Sequence, residues 1–383
     1  MLIFLQKFIM VHFTRIIHSI GQGGFCSETF RGNDGNEVNI IYDCGGKSEQ
    51  FMSKYIPTWK PVNSKIDAVF ISHLHSDHIN GLKFLLDNYT IGNLILPALT
   101  LDEKVETILY NIAISENSNE IIQFTIKLLN KDSLNTEVQE ISTTDDGEIN
   151  FDPNEHNNGI IFEKHTSINQ YIYYSCGSWL YIPWNPTRNK KNGLYDKIKD
   201  NLNSGKDFTI TDLPQIIKNH LTECKNLYTE HFKGKHNSYS MTLFSGLMGN
   251  SLYSTLYCIR DCFKCNHYCR MYQKKCCFNP NYLHTGDYEP EEAEACLEII
   301  KFYGNELWSM TPSIQVPHHG SKHNFDKALY KDKLFGVISC GKSNRFDHPH
   351  KETILGMCNC GCIPVIVTED ICSTIVRNYY FHI

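Results

Sequence analysis

Three imidazoles and one carboxylate fall within six consecutive positions of this chain, at His73, His75, Asp77 and His78. In an extended turn His73 and His75 point the same way, so both can reach one metal ion. Asp77 and His78 follow closely enough to reach a second ion beside the first. Because buried imidazole and carboxylate groups without partners carry a desolvation cost, this spacing favours a metal site over four unrelated side chains.

The elements on either side of this run would hold it in place. Residues 66–71 form an apolar, strand-like segment, and residues 79–86 have the apolar spacing of a helix face. The polar run is therefore predicted on a strand-to-helix turn, where a pocket can form.

The pattern H-x-H-x-D-H after a strand resembles the second motif of the metallo-β-lactamase-fold hydrolases. Other motifs of that family follow in the family's order: Asp43 at the end of a strand, Asp287 in His-Thr-Gly-Asp, and the pair His318-His319 in Pro-His-His-Gly-Ser. The resemblance implies an α/β protein with a four-layer αββα metallo-β-lactamase sandwich, carrying helical and Cys-rich insertions.

Further stretches narrow the resemblance within that family. Residues 20–23, 318–321 and 338–350 look like the hydrolase domain of ComEC, the DNA-uptake channel, and its stand-alone relatives. The resemblance covers segments of 12–100 and 236–377, and it implies an enzyme without the channel of ComEC.

The resemblance also implies a set of metal ligands, with two pairs left open. An Asn carbonyl is a weaker ligand than imidazole, so Asn237 in place of His236 would make the first site labile or favour Mn²⁺. If His318 and His319 lie on a strand, they point to opposite sides, and only one binds metal. The expected ligands are His73, His75, Asp77, His78, Asp287, either His236 or Asn237, and one of His318 and His319.

Catalytic and substrate contacts are expected around these ligands. The resemblance implies that one carboxylate orients the attacking hydroxide and that distal histidines supply a proton to the leaving alkoxide, while hydroxyl, ammonium and amide groups hold a phosphate. The expected catalytic residues are Asp77, His319, His348 and His350, and the expected substrate contacts are Ser240, Ser321, Lys322 and Asn344.

The function predicted from these motifs is that of a metal-dependent phosphodiesterase or nuclease, which cleaves DNA, RNA or a nucleotide through a hydroxide bridging two metal ions. Zn²⁺ is the expected metal, with Mn²⁺ as the alternative. A hydrolase of thioesters, lactones or β-lactams is the rival enzyme, because one fold hosts many chemistries. The rival outside enzymes is a regulatory binding module with a degenerate metal site.

At 383 residues the chain is long for one such domain, and the motif order favours a single domain over 1–383 with insertions at about 101–235 and 247–281. These insertions are candidate contacts for a protein partner or a second copy of the chain. The first is predicted to contain helices at 102–115 and 119–130, a polar loop at 131–158, strands at 160–163, 171–176 and 179–182, and a helix starting near Thr211.

The chain has sixteen cysteines, and neither a signal peptide nor an evenly spaced disulfide framework accompanies them. Reduced thiols in the cytoplasm are therefore expected. Cys262, Cys265 and Cys269 are candidate ligands of a structural zinc ion, with unliganded thiols as the alternative. The sequence from Cys358 to Cys362 is predicted as a turn before the closing strand.

The net charge of −6 argues against non-specific coating of nucleic acid. Two segments are nevertheless basic: 183–235 holds ten Lys/Arg against six Asp/Glu, and 258–277 holds five against one. They predict either a basic rim for a phosphate backbone or a solvated face. The apolar start is broken by Lys7 and Arg15, so a first strand at 11–20 is expected and no membrane span.

Overall fold

The computed structural model describes most of the chain. Sequence predictions at His236, Asn237 and the Cys262–Cys269 cluster lie outside the described residues. The described residues are 10–114, 118–131, 134–144, 160–167, 171–186, 193–232, 240–247, 279–289 and 296–382.

The first of two mixed sheets has the strand order β16-β1-β2-β3-β4-β5-β6. It is antiparallel from β16 to β3 and parallel from β3 to β6. Alternating burial along β1 is typical of a strand with one face in the core, whereas β4 is buried after its first residue. The strands are β1 (Met10–Ile17), β2 (Phe25–Gly32), β3 (Glu37–Cys44), β4 (Lys65–Phe70), β5 (Thr90–Pro97), β6 (Glu137–Ile141) and β16 (Ile375–His382).

The second sheet has the order β15-β14-β13-β12-β11-β10-β9-β8, and β7 pairs with β10 beside this path. It is antiparallel from β8 to β12 and parallel from β12 to β15. Its strands are β7 (Thr143–Thr144), β8 (Phe162–Thr166), β9 (Ile172–Cys176), β10 (Trp179–Pro186), β11 (Thr242–Leu247), β12 (Tyr282–His284), β13 (Ser313–Gln315), β14 (Phe335–Ser339) and β15 (Ile363–Val367).

Helices cover the outer face of each sheet. One hydrophobic cluster joins α1 and α3–α8 to the first sheet, and another joins α9–α11 to the second. The helices are α1 (Glu49–Trp59), α2 (Ser76–Ile79), α3 (Leu82–Asn88), α4 (Leu101–Ile114), α5 (Ser118–Asn130), α6 (Leu194–Leu202), α7 (Leu213–Asn219), α8 (Leu221–Phe232), α9 (Cys296–Ser309), α10 (Lys327–Tyr330) and α11 (Lys351–Asn359).

A third cluster fills the space between the two sheets and is rich in aromatic rings. Phe13 of the first sheet packs on Trp179 of the second with 4.1 Å between ring centroids, and Phe70 stacks on Tyr181 at 5.7 Å. Two packed sheets with helices outside both form an αββα sandwich, which confirms the predicted fold class.

The segment 101–235, interpreted from the sequence as an insertion, supplies part of both sheets. Helices α4, α5 and α7 lie close to where the sequence predicts them. The predicted polar loop at 131–158, in contrast, contains β6, which pairs in parallel with β5. Only Gln139 and Ile141 of β6 are buried, so its sequence lacks a clear apolar strand pattern. Pairing with β5 stabilises the strand instead. Among the described residues, no helix is long and apolar enough to cross a membrane.

Candidate metal centre

The turn after β4 is held by Asp43, which ends β3 and is fully buried. Its Oδ1 accepts a hydrogen bond from the Ser72 amide at 2.7 Å, and its Oδ2 accepts one from Ser72 Oγ at 2.8 Å. The carboxylate thus fixes the start of the histidine-rich turn to the neighbouring strand.

A first group of ligand atoms brings together His73, His75 and Asp287, all buried and within 4.8 Å of one another. Nδ1 of His73 lies 2.9 Å from Ser72 Oγ, which already donates to Asp43 and so accepts from the ring. That leaves Nε2 of His73 facing the centre, 3.7 Å from Asp287 Oδ2.

A second group contains Asp77, His78 and His319. Nδ1 of His78 donates to Asp43 Oδ2 at 2.8 Å, and Nδ1 of His319 donates to the Ser339 carbonyl at 2.9 Å. Each ring therefore presents Nε2 inward. Such an outer partner orients a histidine ligand and sets its tautomer.

Asp287 lies between the two groups. Its Oδ2 faces His73, whereas its Oδ1 is 3.3 Å from Nε2 of His78 and 3.6 Å from Nε2 of His319. Asp77 Oδ2 approaches the same His319 nitrogen at 3.4 Å. One carboxylate thus faces both groups of candidate ligands.

Unsatisfied polar atoms test whether these residues fit metal ions. Within the described chain, Nε2 of His73, of His78 and of His319 are buried and have no hydrogen-bond partner, and the same holds for Asp77 Oδ1. Buried polar groups are normally hydrogen-bonded, and leaving them unpaired is costly. Several inward-facing imidazole nitrogens and carboxylate oxygens form a donor set suited to divalent ions such as Zn²⁺ or Mn²⁺.

The electrostatics of the centre couple its histidines to its carboxylates. Burial alone would lower the pKa of His78, but Asp287 and Asp43 raise it well above its usual value. Burial would likewise raise the pKa of Asp287, yet His318, His319 and His78 hold it well below its usual range. Burial lowers the pKa of His73, and the neighbouring histidines lower it further. The centre thus pairs buried negative charge with positive charge.

The adjacent histidines do not lie on a strand, so the condition under which they would point to opposite sides is not met. Residues Pro317–Gly320 form a 3₁₀ turn in which His318 and His319 have φ values of +49° and +55°. His319 enters the second ligand group, whereas the His318 side chain is 23% exposed and its Nε2 is 4.0 Å from Asp287 Oδ2. Position therefore favours His319 as the ligand of the pair.

Two glycines allow the backbone to close around Asp77. A Cβ on Gly23, whose φ is +132°, would lie 2.4 Å from the Asp77 carbonyl oxygen, and one on Gly45 would lie 2.3 Å from it. The neighbouring Gly24 amide donates to that carbonyl at 3.2 Å. Only glycine fits at this approach, which explains part of the motif at 20–23.

A cleft of about 570 Å³ opens beside Asp77. Its cations are Lys47 and Arg345, which belong to neither basic segment predicted from the sequence; 258–277 lies outside the described residues. The carbonyl oxygen of the Gln22 side chain lines this cleft and is buried without a hydrogen-bond partner in the described structure. The lining is formed by Gln22, Gly46, Lys47, Ser48, Glu49, Gln50, Ser76, Asp77, Asn80, Tyr110, Glu120, Ile121, Asn344, Arg345 and Phe346.

Ser240 and Asn344, which the sequence predicts as substrate contacts, both have hydrogen-bond partners within the protein. Ser240 is fully buried; its Oγ accepts from the Asp287 amide at 2.9 Å and lies 3.2 Å from His73 Nδ1. Asn344 lines the cleft, but its amide donates to the carbonyls of Gly341 and His348. Ser240 therefore contacts the candidate ligands His73 and Asp287, and Asn344 stabilises the loop from Gly341 to His348.

The remaining predicted residues, Ser321, Lys322, His348 and His350, lie near the His318-His319 turn. Ser321 is buried and its Oγ accepts from the His323 amide, while the exposed Lys322 donates its backbone amide to His350 Nδ1 at 3.2 Å. The ring of His348 is 5.6 Å from that of His318 and 5.0 Å from that of His350, measured between centroids.

A further cluster of potential ligands, Cys26, Glu28 and His284, is an internal polar network. Glu28 already pairs with Arg15 at 2.5 Å and accepts from Tyr181 at 2.7 Å. Burial would raise the pKa of Glu28, but Arg15 and His284 lower it to about 2. The guanidinium supplies the positive charge that a metal would otherwise bring.

Sequence reasoning missed the residues that α4 contributes to the centre. Tyr110 stacks on His75, and Asn111 bonds to the turn itself. The available signal was a polar Asn on a helix whose other buried positions are mostly apolar.

Comparison with known proteins gives partial matches. A family model described as "Anti-Pycsar protein Apyc1" matches residues 23–180, which is less than half of the chain and includes the histidine-rich turn. A stretch of 55 residues is 42% identical to "Ribonuclease Z 2, mitochondrial" of Schizosaccharomyces pombe, covering 14% of this chain and 8% of that protein.

Among solved structures, the chain resembles a long-form RNase Z from yeast with a TM-score of 0.32 and 10% identity. This match covers 95% of the chain and 41% of that structure. The chain therefore spans less than half the length of the ribonuclease Z proteins that it matches. The likeness to the ComEC hydrolase domain stays a prediction from the motifs.

Proposed function

We propose that this protein is a two-metal phosphodiesterase that hydrolyses a nucleotide. The observation that carries the proposal is the position of Asp287, with one oxygen toward His73 and the other toward His78 and His319. A degenerate regulatory module would have no reason to retain both ligand groups with their outer partners.

The first ion would be held by His73, His75 and Asp287, and the second by Asp77, His78, His319 and the same Asp287. A pair of divalent ions bound there would polarise a phosphoryl oxygen and lower the pKa of bound water from about 15.7 toward about 7. Zn²⁺ is the expected metal and Mn²⁺ the alternative.

The residues around the cleft suit a phosphorylated ligand with a flat base. Lys47 and Arg345 are the cleft cations that can pair with a phosphate. Phe346 offers an aromatic face for stacking, and Gln22 offers an unpartnered acceptor for an amino or hydroxyl group. Asp77, with its side chain 24% exposed, lies where the cleft meets the ligand groups and would orient the attacking water.

Two observations favour a small nucleotide over a polymer. The cleft volume lies in the range of pockets that hold small molecules. The family model that matches 23–180 is associated with degradation of cyclic nucleotides. The proposed substrate class is therefore a cyclic nucleotide, with RNA and DNA as competing phosphodiesters.

A substrate panel tests the proposal. Metal-loaded protein should cleave cyclic mononucleotides faster than single-stranded DNA, duplex DNA or RNA, and should leave nitrocefin and thioesters intact. His75→Ala and Asp287→Asn should reduce the rate to that of the metal-free protein, while His220→Ala, at a partly exposed helix junction, should not.

Two results would reject the proposal. Turnover of nitrocefin or a thioester without phosphodiester cleavage would favour the rival hydrolase. Faster cleavage of a polymer would reject the nucleotide preference while leaving the metal chemistry in place.

A further inference from the structure

Helix α4 bonds directly to the turn that carries the metal ligands. Asn111 of α4 is fully buried, and its Oδ1 accepts from the Ser76 amide at 3.0 Å. Its Nδ2 donates to the Leu74 carbonyl at 2.9 Å. Leu74 and Ser76 are the neighbours of His75, so one side chain binds the backbone on both sides of a candidate ligand.

A third bond fixes the orientation of this amide. Nδ2 of Asn111 also donates to Thr125 Oγ1 at 3.1 Å, and Thr125 in turn donates to the Ile121 carbonyl at 2.7 Å. The Ser76 amide can only donate, so the atom facing it must be the amide oxygen. Both hydrogens and the oxygen of the amide are therefore used, and α5 supports the orientation.

The residue before Asn111 restrains the ring of the same ligand. Tyr110 stacks on His75 with 3.5 Å between ring centroids and 14° between ring planes. Tyr228 of α8 meets Tyr110 edge-on at 6.1 Å, which supports the stack from behind. Adjacent residues of one helix thus hold both the backbone and the ring plane of His75.

We propose that Asn111 and Tyr110 are positioning residues for His75, so that α4 is part of the metal centre. The inference rests on the proposed two-metal function. A ligand whose backbone and ring are already held loses little freedom on binding an ion, whereas an unrestrained turn must be ordered at that moment. Loss of outer contacts to a metal ligand commonly weakens metal binding about 10–100-fold.

Asn111→Leu tests the positioning role of Asn111, because leucine has a similar size and forms neither hydrogen bond to the Leu74 and Ser76 backbone. Asn281→Leu is the matched control: Asn281 is also fully buried, and its amide bonds the Leu247 backbone at 2.8 Å and 3.0 Å. Zn²⁺ affinity is measured by competition with a chelator, and Tm is measured on the metal-free proteins. We expect Asn111→Leu to weaken the binding of one of the two Zn²⁺ ions about 10–100-fold. We expect Asn281→Leu to lower Tm and to leave Zn²⁺ affinity unchanged.

Tyr110→Leu provides a second test if Asn111→Leu does not fold, since Tyr110 is only partly buried. Its control is Tyr195→Leu. Tyr195 lies in α6, and its ring stacks on that of Phe208 with 4.4 Å between ring centroids. Weaker Zn²⁺ binding in Tyr110→Leu and unchanged binding in Tyr195→Leu would support the proposal.

The outcomes separate this inference from the proposed function. Wild-type protein that binds no Zn²⁺ would reject both. Wild-type protein that binds two ions, with Asn111→Leu or Tyr110→Leu binding them equally tightly, would reject the positioning role alone.

Discussion

At the scale of single residues, two candidate histidine ligands are oriented by what their outer nitrogens contact. His78 donates to Asp43, and His319 donates to the Ser339 carbonyl, so both present Nε2 to the centre. His318 differs from His319, because its side chain is partly exposed and its Nε2 is 4.0 Å from Asp287 Oδ2. The adjacent histidines should therefore contribute unequally.

Substitution of each histidine by Asn checks this difference. His319→Asn should lose the ion of the second group and with it the hydrolytic activity, because no other imidazole faces Asp77 so closely in the described structure. His318→Asn should keep both ions and change the rate less. Elemental analysis after gel filtration, with activity assays on the same samples, measures both effects; loss of an ion only in His318→Asn would reverse the assignment.

The sequence predicted most candidate ligands because their types and spacing carry the chemistry. It could not choose between His318 and His319, since the choice depends on a left-handed turn that consecutive non-glycine residues rarely adopt. It also predicted Ser240 as a substrate contact, whereas the fully buried hydroxyl accepts from the Asp287 amide and lies beside His73. Asn111 was missed because its partners come from a turn 35 and 37 residues away.

At the scale of elements, the packing of α1 on the first sheet includes a buried histidine outside the metal centre. His18 stacks on Phe25 at 4.0 Å, meets Trp59 edge-on, and its Nε2 bonds Ser27 Oγ at 2.7 Å. Burial lowers the pKa of His18 to about 3. The folded protein therefore holds this ring neutral where the unfolded chain would protonate it.

This difference predicts a pH dependence of stability. Below the unfolded pKa of about 6.5, the unfolded state gains a proton that the native state does not, so stability falls as the pH drops from 6.5 toward 3. Between pH 7 and pH 5 the His18 contribution should be about 2 kcal/mol. Urea unfolding of wild type and His18→Gln at both pH values measures it; equal pH dependence in the two proteins would contradict the assignment.

Helices and central strands were predicted well, because their apolar spacing is strong: the strand expected at 66–71 is β4 (Lys65–Phe70). The polar β6 was missed, because it gains its structure from pairing with β5. The strands expected at 160–163, 171–176 and 179–182 correspond to β8, β9 and β10, which belong to the second sheet.

At the scale of the whole molecule, a buried ionic network joins the two sheets. Arg15 on β1 and Glu28 on β2 pair at 2.5 Å, and Glu28 accepts from Tyr181 and Ser245 of the opposite sheet. Arg15 also donates to the Pro280 carbonyl at 2.5 Å. The αββα arrangement is thus held by polar contacts as well as by the aromatic core.

Replacing one partner of this ion pair should lower the free energy of unfolding more than replacing both partners. Glu28→Leu leaves the Arg15 guanidinium buried without its counter-charge and should lower the free energy of unfolding by about 3–5 kcal/mol. The double variant Arg15→Met/Glu28→Leu should recover part of that loss. Urea unfolding of both variants measures the difference, and a double variant less stable than Glu28→Leu would contradict this account.

The central claim is that Asp287 joins two ligand groups into one hydrolytic centre. The most direct test is a titration of metal-stripped protein with Zn²⁺ or Mn²⁺, in which the rate of cleavage of a cyclic mononucleotide is measured after each addition. Activity should appear as the second ion per chain binds and should stay absent in Asp287→Asn at any metal concentration. Saturation with one ion, or no cleavage of the cyclic phosphodiester with two ions bound, would contradict the claim.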